Sequence, residues 1–273
     1  MKLQELQQLD RDDPLRNYRS LFHLPEGVIY LDGNSLGPAP KEVFQKMEKV
    51  LRQEWAEDLI RSWNNAGWWE LTDRLGSMVA KLIGADDNEV VVCDTISVNL
   101  HKVLHAALSL KPGRNKVIAE ADCFPSDLYV LEGVKSLRPD LEILLEGRDG
   151  SSIHEMLDEQ VAAVLINHVD YRSGTIRDME NLTRQVQEFG GLTVWDLSHS
   201  AGIFPVQLNR CRVDFAVGCT YKYLNGGPGA PAYLYAASRH HAACNQPLSG
   251  WFGHARPFDF ERHFDPDSGI RRF

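Results

Sequence analysis

Short apolar stretches alternate with longer segments of helical periodicity along most of this chain. Continuous apolar runs are typical of strands that are covered on both faces of a sheet. The predicted strands are residues 28–31, 90–92, 116–119, 141–145, 161–167, 192–195, 213–217 and 232–235. The predicted helices are residues 41–66, 75–83, 97–110, 127–136, 153–159 and 179–189. This alternation predicts an α/β fold with a mostly parallel central sheet and helices on both faces.

Composition and charge limit the kinds of molecule that this chain is expected to bind. The chain has 273 residues, and its 29 basic and 38 acidic side chains give a net charge of -9, which disfavours nucleic acid or an anionic membrane. No apolar run approaches the roughly 20 residues of a membrane span. The polar, amphipathic N-terminus predicts no secretory signal. The 5 scattered cysteines, without a CxxC pair, predict free thiols in the cytoplasm and no metal site.

Two polar residues follow the predicted strands 192–195 and 213–217. Asp196 closes the first strand, and Lys222 follows the second in a turn that leads into the glycine-rich residues 225–229. Because ligands collect at the carboxyl ends of parallel strands, we expect both side chains in one site. A lysine can form an imine with an aldehyde, and a carboxylate can keep a pyridine nitrogen protonated. The pair predicts pyridoxal 5'-phosphate (PLP) as the cofactor.

Each of these residues also has an ordinary structural interpretation. Taken alone, Lys222 would be a solvated surface charge and Asp196 a helix N-cap. Their placement after neighbouring strands favours the functional interpretation. His199, three residues after Asp196, is either a hydrogen-bond partner within the site or a surface histidine.

Four further features are weaker signals. Residues 94–100 leave a strand and open a helix, where N–H groups and hydroxyls can bind a phosphate or simply cap the helix. Phe124, held by the proline after it, could stack on a pyridine ring or belong to the core. Tyr221 is a possible phosphate ligand or general acid, and otherwise packs under the turn. Trp251, in a glycine-flanked loop, is a ligand contact or an interface anchor.

Several motifs together resemble the kynureninases, PLP-dependent hydrolases of the aminotransferase class V group with the fold type I architecture. The resemblance covers essentially the whole chain. The motifs that carry it are Leu31-Asp-Gly-Asn-Ser-Leu-Gly37, Ile96-Ser-Val-Asn-Leu-His101, Phe124-Pro-Ser-Asp127, Asp196-Leu-Ser-His199, Thr220-Tyr-Lys-Tyr-Leu-Asn-Gly-Gly-Pro-Gly229 and Gly250-Trp-Phe-Gly-His254.

The resemblance implies a role for each matching residue. Lys222 is implied to be the Schiff-base lysine, with Asp196 on the pyridine nitrogen. The other residues implied at the cofactor are Ile96, Ser97, Phe124, Asp127, His199, Tyr221 and Trp251. Trp251 is implied to reach the phosphate region across a homodimer interface, so that the active site lies at that interface. The residues implied in the substrate pocket are Trp63, Asn34 and Ser35.

The implied activity is hydrolytic cleavage of the Cβ–Cγ bond of L-kynurenine, or of 3-hydroxykynurenine, in tryptophan catabolism. The products are anthranilate, or 3-hydroxyanthranilate, and L-alanine. Lys222 is expected to move the α-proton and Tyr221 to protonate Cβ, while Asp196 keeps the ring nitrogen protonated. A large apolar residue at Trp63 would suit unsubstituted kynurenine better.

The chain is expected to divide into an N-terminal arm, residues 1–40, a PLP-binding large domain, residues 41–260, and the start of a truncated C-terminal segment, residues 261–273. Within the arm, two glycines and a proline shape the loop 32–38. The family continues into a smaller C-terminal domain that holds the substrate α-carboxylate with an arginine. That domain is expected to be missing here.

Three alternatives were weighed against this interpretation. A cysteine desulfurase or selenocysteine lyase needs a mobile catalytic cysteine and usually a histidine on the ring, where this chain has Phe124. A truncated homologue would bind PLP or a partner protein without turnover. A dinucleotide-binding protein is disfavoured because no GxGxxG follows a predicted strand.

Overall fold

The computed structural model describes residues 2–273, and these residues form one seven-stranded sheet with helices around it. The strands are β1 Val90–Val92, β2 Lys116–Glu120, β3 Glu142–Glu146, β4 Val161–Asn167, β5 Leu192–Asp196, β6 Phe215–Gly218 and β7 Tyr233–Ala236. The α-helices are α1 Leu3–Asp12, α2 Glu42–Lys49, α3 Ser62–Asn65, α4 Leu71–Ile83, α5 Ile96–Leu110, α6 Pro125–Leu137, α7 Ile153–Met156, α8 Met179–Glu188 and α9 Ser238–His241.

The sheet order is β1-β7-β6-β5-β4-β2-β3. Strands β2 to β6 run parallel, whereas β7 is antiparallel to both β6 and β1. Two reversals in a row leave β1 pointing the same way as β6. The loops that follow β1, β2, β4, β5 and β6 therefore leave the same edge of the sheet, which we call the carboxyl edge.

Side chains alternate between two buried cores, one on each face of the sheet. All seven residues of β4 are buried, as expected for a central parallel strand. The first core joins α5 and α6 to the sheet through Leu104, Leu131, Val117, Leu165, Val194 and Phe215. The second joins α4 and α8 to the sheet through Ile83, Val186, Ile118, Val164, Trp195 and Tyr235. The predicted α/β fold, mostly parallel and covered on both faces, is confirmed.

Two predicted elements near the N-terminus are wrong. Residues 28–31 form no strand, because Ile29 and Leu31 are 83% and 85% exposed and have no neighbouring strand to pair with. The single helix predicted over 41–66 is divided into α2, a π-helical turn Val50–Trp55, a 3-10 turn Leu59–Arg61 and α3. The break falls at Leu59, whose φ of 54° lies in the left-handed region that a right-handed helix cannot contain.

The two ends of the chain differ in how they meet the sheet. Helix α1 and helix α2 bury no residue in this structure. At the other end, Ile270 and Phe273 pack into the core beneath α5 and α6, and Arg271 pairs with Asp73 of α4. Within residues 2–273 no helix combines the length and apolarity of a membrane span.

Candidate active site at the carboxyl edge

Three neighbouring strands deliver polar groups to one place on the carboxyl edge. Asn167, the last residue of β4, pairs in register with Asp196, the last residue of β5. Asp196 pairs in turn with Val217 of β6, and Lys222 follows four residues after β6 ends. Lys222 is 8% exposed and Asp196 is 6% exposed, so both charged groups are buried. Burial of charged side chains at a strand end indicates function more than solvation.

The Lys222 amine lies beside an imidazole and two aromatic rings. Its Nζ is 2.8 Å from His199 Nε2. Burial and the charge of Lys222 hold the pKa of His199 below its usual value, so the imidazole is neutral at pH 7 and its Nε2 can accept a hydrogen bond from the ammonium. The Phe124 and Tyr221 rings have their centroids 5.6 and 5.8 Å from Nζ. The lysine thus has a neutral acceptor for its proton.

Two buried carboxyl groups, Asp127 and Asp196, lie against each other near this amine. Asp127 belongs to the first turn of α6, which begins after β2 at the same edge. Its Oδ2 accepts from Asn167 Nδ2 at 3.1 Å, and Asp196 Oδ1 accepts from the Ser198 N–H at 2.7 Å. Burial, and then the charge of Asp196, raise the pKa of Asp127 to about 8. Asp127 is therefore largely protonated at neutral pH, next to the Asp196 carboxyl.

These residues fit the pyridine ring of PLP. Among the described residues, no salt bridge supplies a cation to Asp127 or to Asp196. The hydroxyls of Ser198 and Tyr233 are buried without a partner, and Tyr233 is close enough to Asp196 for that charge to raise its pKa, after burial. A protonated pyridine nitrogen would supply the missing positive charge. The donor set matches a cofactor that presents one cation to this pair.

A cleft of about 460 Å³ opens next to Tyr221 and leads to the start of α5. Its lining includes Ser35, Ile96, Cys219 and Tyr221. Thr95 caps α5, and Ser97 lies in its first turn, so the free N–H groups of this helix point toward the same edge. Asn34 precedes Ser35 in the loop. Ser35, Ile96 and Tyr221 therefore line one cleft, with Ser97 in the adjoining helical turn, and their predicted roles stay predictions.

Trp63 and Trp251 belong to a different place. They form an aromatic cluster with Trp69, Phe252 and Phe258. The Trp69 and Phe252 rings stack at 4.8 Å, and Trp251 is 44% exposed. Within residues 2–273, no ring contact joins this cluster to Phe124 or Tyr171. The roles predicted for Trp63 in the substrate pocket and for Trp251 across a dimer interface stay predictions.

Two residues of this edge escaped the sequence analysis. The Asn167 amide donates a hydrogen bond to Asp127. In the sequence, the only indication of this role is that Asn167 is a polar residue at the end of an otherwise apolar strand. Tyr171 lies 5.3 Å from the Phe124 ring and 6.3 Å from the His199 ring, measured between centroids. It belongs to an irregular loop after β4, where periodicity gives no signal. In the described part of the chain, no cluster of three His, Cys, Asp or Glu side chains is placed to hold a metal.

The geometry defines the class of protein, and comparison with known families agrees. The aminotransferase class-V family matches residues 29–250. The chain belongs to this family, whose enzymes are PLP-dependent, and PLP is confirmed as the cofactor predicted from Lys222 and Asp196.

The resemblance to kynureninases is also confirmed. The chain is 50% identical over 270 residues to a kynureninase of Burkholderia mallei, and 46% identical over 269 residues to a kynureninase of Pseudomonas fluorescens. Each match covers 97% of this chain and 65% of the relative. The chain therefore spans about two thirds of the length of the curated relatives that it matches.

Solved structures share the fold at much lower identity. A cysteine desulfurase of Escherichia coli superposes with a TM-score of 0.73 at 17% identity, covering 94% of this chain and 66% of that one. An apo cysteine desulfurase of Thermococcus onnurineus gives a TM-score of 0.70 at 21% identity, covering 100% of this chain and 66% of that one. These matches confirm the fold type I architecture.

Proposed function

We propose that this chain is the cofactor-binding part of a kynureninase, which hydrolyses the Cβ–Cγ bond of L-kynurenine to give anthranilate and L-alanine. The observation that carries the proposal is the buried Lys222 amine, 2.8 Å from His199, at the same strand ends as the Asp127–Asp196 pair. Identity near 50% to kynureninases supports this substrate over the other amino acids that class V enzymes use.

When bound, PLP supplies an aldehyde for amines and a ring that accepts electrons. Lys222 would hold the aldehyde and then move the proton at the substrate Cα, with neutral His199 accepting a hydrogen bond from Nζ. Asp196 would keep the pyridine nitrogen protonated, with Asp127 next to it. Burial raises the pKa of Tyr221, so its hydroxyl stays protonated and could donate a proton to Cβ of the fragment that becomes L-alanine, once anthranilate has left.

The remaining predicted residues divide between two ends of the site. Phe124 stacks on the ring, while Ile96 and Ser97 hold the phosphate at the start of α5. Asn34 and Ser35 line the substrate side of the cleft. The arginine expected to bind the substrate α-carboxylate lies in a second domain in this proposal, and the relatives have the additional length for one.

The chain acts as a homodimer in this proposal, with the aromatic cluster reaching the partner's site. Trp63 then lines the aromatic end of the pocket and Trp251 the phosphate region. Apolar side chains are exposed along α1, α2 and the π-helical turn, including Leu6, Phe44, Met47, Leu51 and Trp55. Such a surface supports the proposal that a partner chain covers these N-terminal elements. Mixing Lys222→Ala with Trp251→Ala should restore part of the activity, because one site of each mixed dimer keeps both residues.

The test is a spectrum of the purified chain with PLP, followed by addition of L-kynurenine. We expect an absorbance band that borohydride removes; anthranilate fluorescence would show that this chain also turns over the substrate without the second domain. Lys222→Ala should abolish the band, whereas Lys135→Ala, an exposed lysine of α6, should retain it. A borohydride-sensitive band in Lys222→Ala would show that another lysine holds the cofactor. Parallel assays with 3-hydroxykynurenine would decide between the two substrates.

A cysteine desulfurase activity is the rival that the solved structures raise. Its nucleophile must be a thiolate, yet the two cysteines near this edge are unsuited. Burial raises the pKa of Cys123 to about 12 and raises the pKa of Cys219 as well. Alanine released from L-cysteine and none from L-kynurenine would favour the rival. A stable band with neither product would indicate a PLP-binding homologue without turnover.

A further inference from the structure

The loop 32–38 contacts the turn that carries Lys222 at one small interface, which we call the joint. The Gly37 N–H donates to the Tyr221 carbonyl at 2.9 Å. The Asn225 side chain donates from Nδ2 to the Pro38 carbonyl at 2.9 Å. These two bonds tie residues on both sides of Lys222 to the loop that carries Asn34 and Ser35.

Gly37 is required at this joint by close packing. It is buried, and a Cβ at this position would lie 2.1 Å from the Lys222 carbonyl oxygen and 2.5 Å from Asn225 Nδ2. That carbonyl is already fixed, because it accepts from the Asn225 N–H at 3.1 Å. A side chain at position 37 must therefore displace the loop or the backbone of Lys222. Gly33 of the same loop differs, since a Cβ there meets no atom within 4 Å.

Asn225 is suited to its place by its backbone as well as its amide. Its φ of 56° lies in the left-handed region, which Asn tolerates better than most residues. The neighbouring Gly226 N–H donates to the Thr220 carbonyl at 2.9 Å, which closes the turn around Lys222. Asn225 thus both shapes the lysine turn and reaches out of it to the loop.

The loop has few other attachments to the sheet. Ile29 and Leu31, just before it, are largely exposed, and the Tyr30 hydroxyl donates within the same segment, to the Leu36 carbonyl at 2.7 Å. The loop is internally ordered but is held to the site mainly through residues 37 and 38. We infer that Gly37 and Asn225 are positioning residues, which set the loop 32–38 in register with the Lys222 turn. This inference rests on the proposed function for its catalytic consequence.

The test compares the unaltered protein with Gly37→Ala, Asn225→Asp and the matched control Gly33→Ala. Asp keeps the left-handed backbone but places an oxygen where the amide N–H₂ met the Pro38 carbonyl. Amide hydrogen exchange of the peptide over 28–40, without added PLP, reports whether the loop is docked. Borohydride tagging of Lys222 in the presence of PLP reports whether the lysine is correctly presented.

We expect Asn225→Asp and Gly37→Ala to speed exchange in this peptide about tenfold, with Gly33→Ala unchanged. Tagging of Lys222 should slow by about the same factor in the first two variants, with the rest of the exchange map preserved. Unchanged exchange of the 28–40 peptide in Asn225→Asp would show that Asn225 does not hold the loop in place. Unchanged borohydride tagging would show that the loop contact does not affect the presentation of Lys222. If Lys222 of the unaltered protein takes no tag, the proposed function fails, while the exchange comparison still decides the joint.

Discussion

Buried aspartates at opposite edges of the sheet have different surroundings. Asp214, just before β6, accepts from Arg239 and His240 at 2.8 Å through Oδ1, and from Gln187 and the Thr193 N–H at 3.0 Å through Oδ2. These hydrogen bonds overcome its burial and lower its pKa.

In the part of the chain that the structure describes, Asp127 and Asp196 at the carboxyl edge form no salt bridge, and burial with mutual repulsion raises the pKa of Asp127. The difference shows how a structural carboxylate is distinguished from a functional one. Asp214 is neutralised by the protein itself and fastens β6 to α8 and α9. The carboxyl-edge pair forms no salt bridge with any residue from 2 to 273, which suits a cation that arrives with the cofactor.

The largest expected effect comes from removing the charge of Asp214. Asp214→Asn leaves Arg239 without its carboxylate and turns an amide donor toward groups that donate. We expect the free energy of unfolding to fall by about 3 kcal/mol, because one partner of a buried ion pair is lost. Urea denaturation of the cofactor-free protein measures this. If Asp214→Asn lowers the free energy of unfolding no more than Asp127→Asn does, the proposed difference between the structural and the functional aspartates is wrong.

His168 gives a second, pH-dependent contrast, because it is buried beside Trp195 with no partner for Nδ1. Burial lowers the pKa of His168 to about 4 from the usual 6.5. Between these values the unfolded chain binds more protons, so stability is full above about pH 6.5 and falls as the pH drops toward 4. The loss should reach about 2 kcal/mol by pH 5.

His168→Gln removes this titration and should flatten the dependence of the urea midpoint on pH over that window. His154→Gln, a substitution of a histidine on the exposed face of α7, is the matched control and should keep the slope of the unaltered protein. Equal slopes in the two variants would show that other groups cause the acid sensitivity.

The effect on stability expected at Asp127 has the opposite sign to that at Asp214. With the folded pKa of Asp127 raised, stability falls as the pH rises from about 4 to about 8. Asp127→Asn removes the repulsion and should raise the free energy of unfolding of the cofactor-free protein at pH 8, which urea denaturation measures. Lower stability of Asp127→Asn at this pH would contradict the repulsion between Asp127 and Asp196.

Sequence alone predicted the central strands and the residues that end them, because continuous apolar runs and the polar residues after them are local signals. Lys222, Asp196 and His199 were found this way, and the structure places all three at one edge. Helices α4, α5, α6 and α8 were predicted within a few residues of their observed limits.

The rest depends on contacts that no local pattern encodes. Residues 28–31 form a continuous apolar run like a strand but find no partner strand, and the left-handed Leu59 divides a segment of helical periodicity. Asn167 and Asn225 act through single hydrogen bonds to residues 40 and 187 positions away. The chemistry of the site was thus readable from residue type and strand position, whereas its positioning residues required the folded chain.

The most direct measurement is the ¹⁵N chemical shift of the pyridine nitrogen in ring-labelled PLP bound to the protein. With Asp196 placed to pair with it, the nitrogen is predicted to be protonated at pH 7.5 in the unaltered protein, and neutral in Asp196→Asn. A neutral nitrogen in the unaltered protein would contradict the account, since the two carboxyl groups would then have no cation to hold.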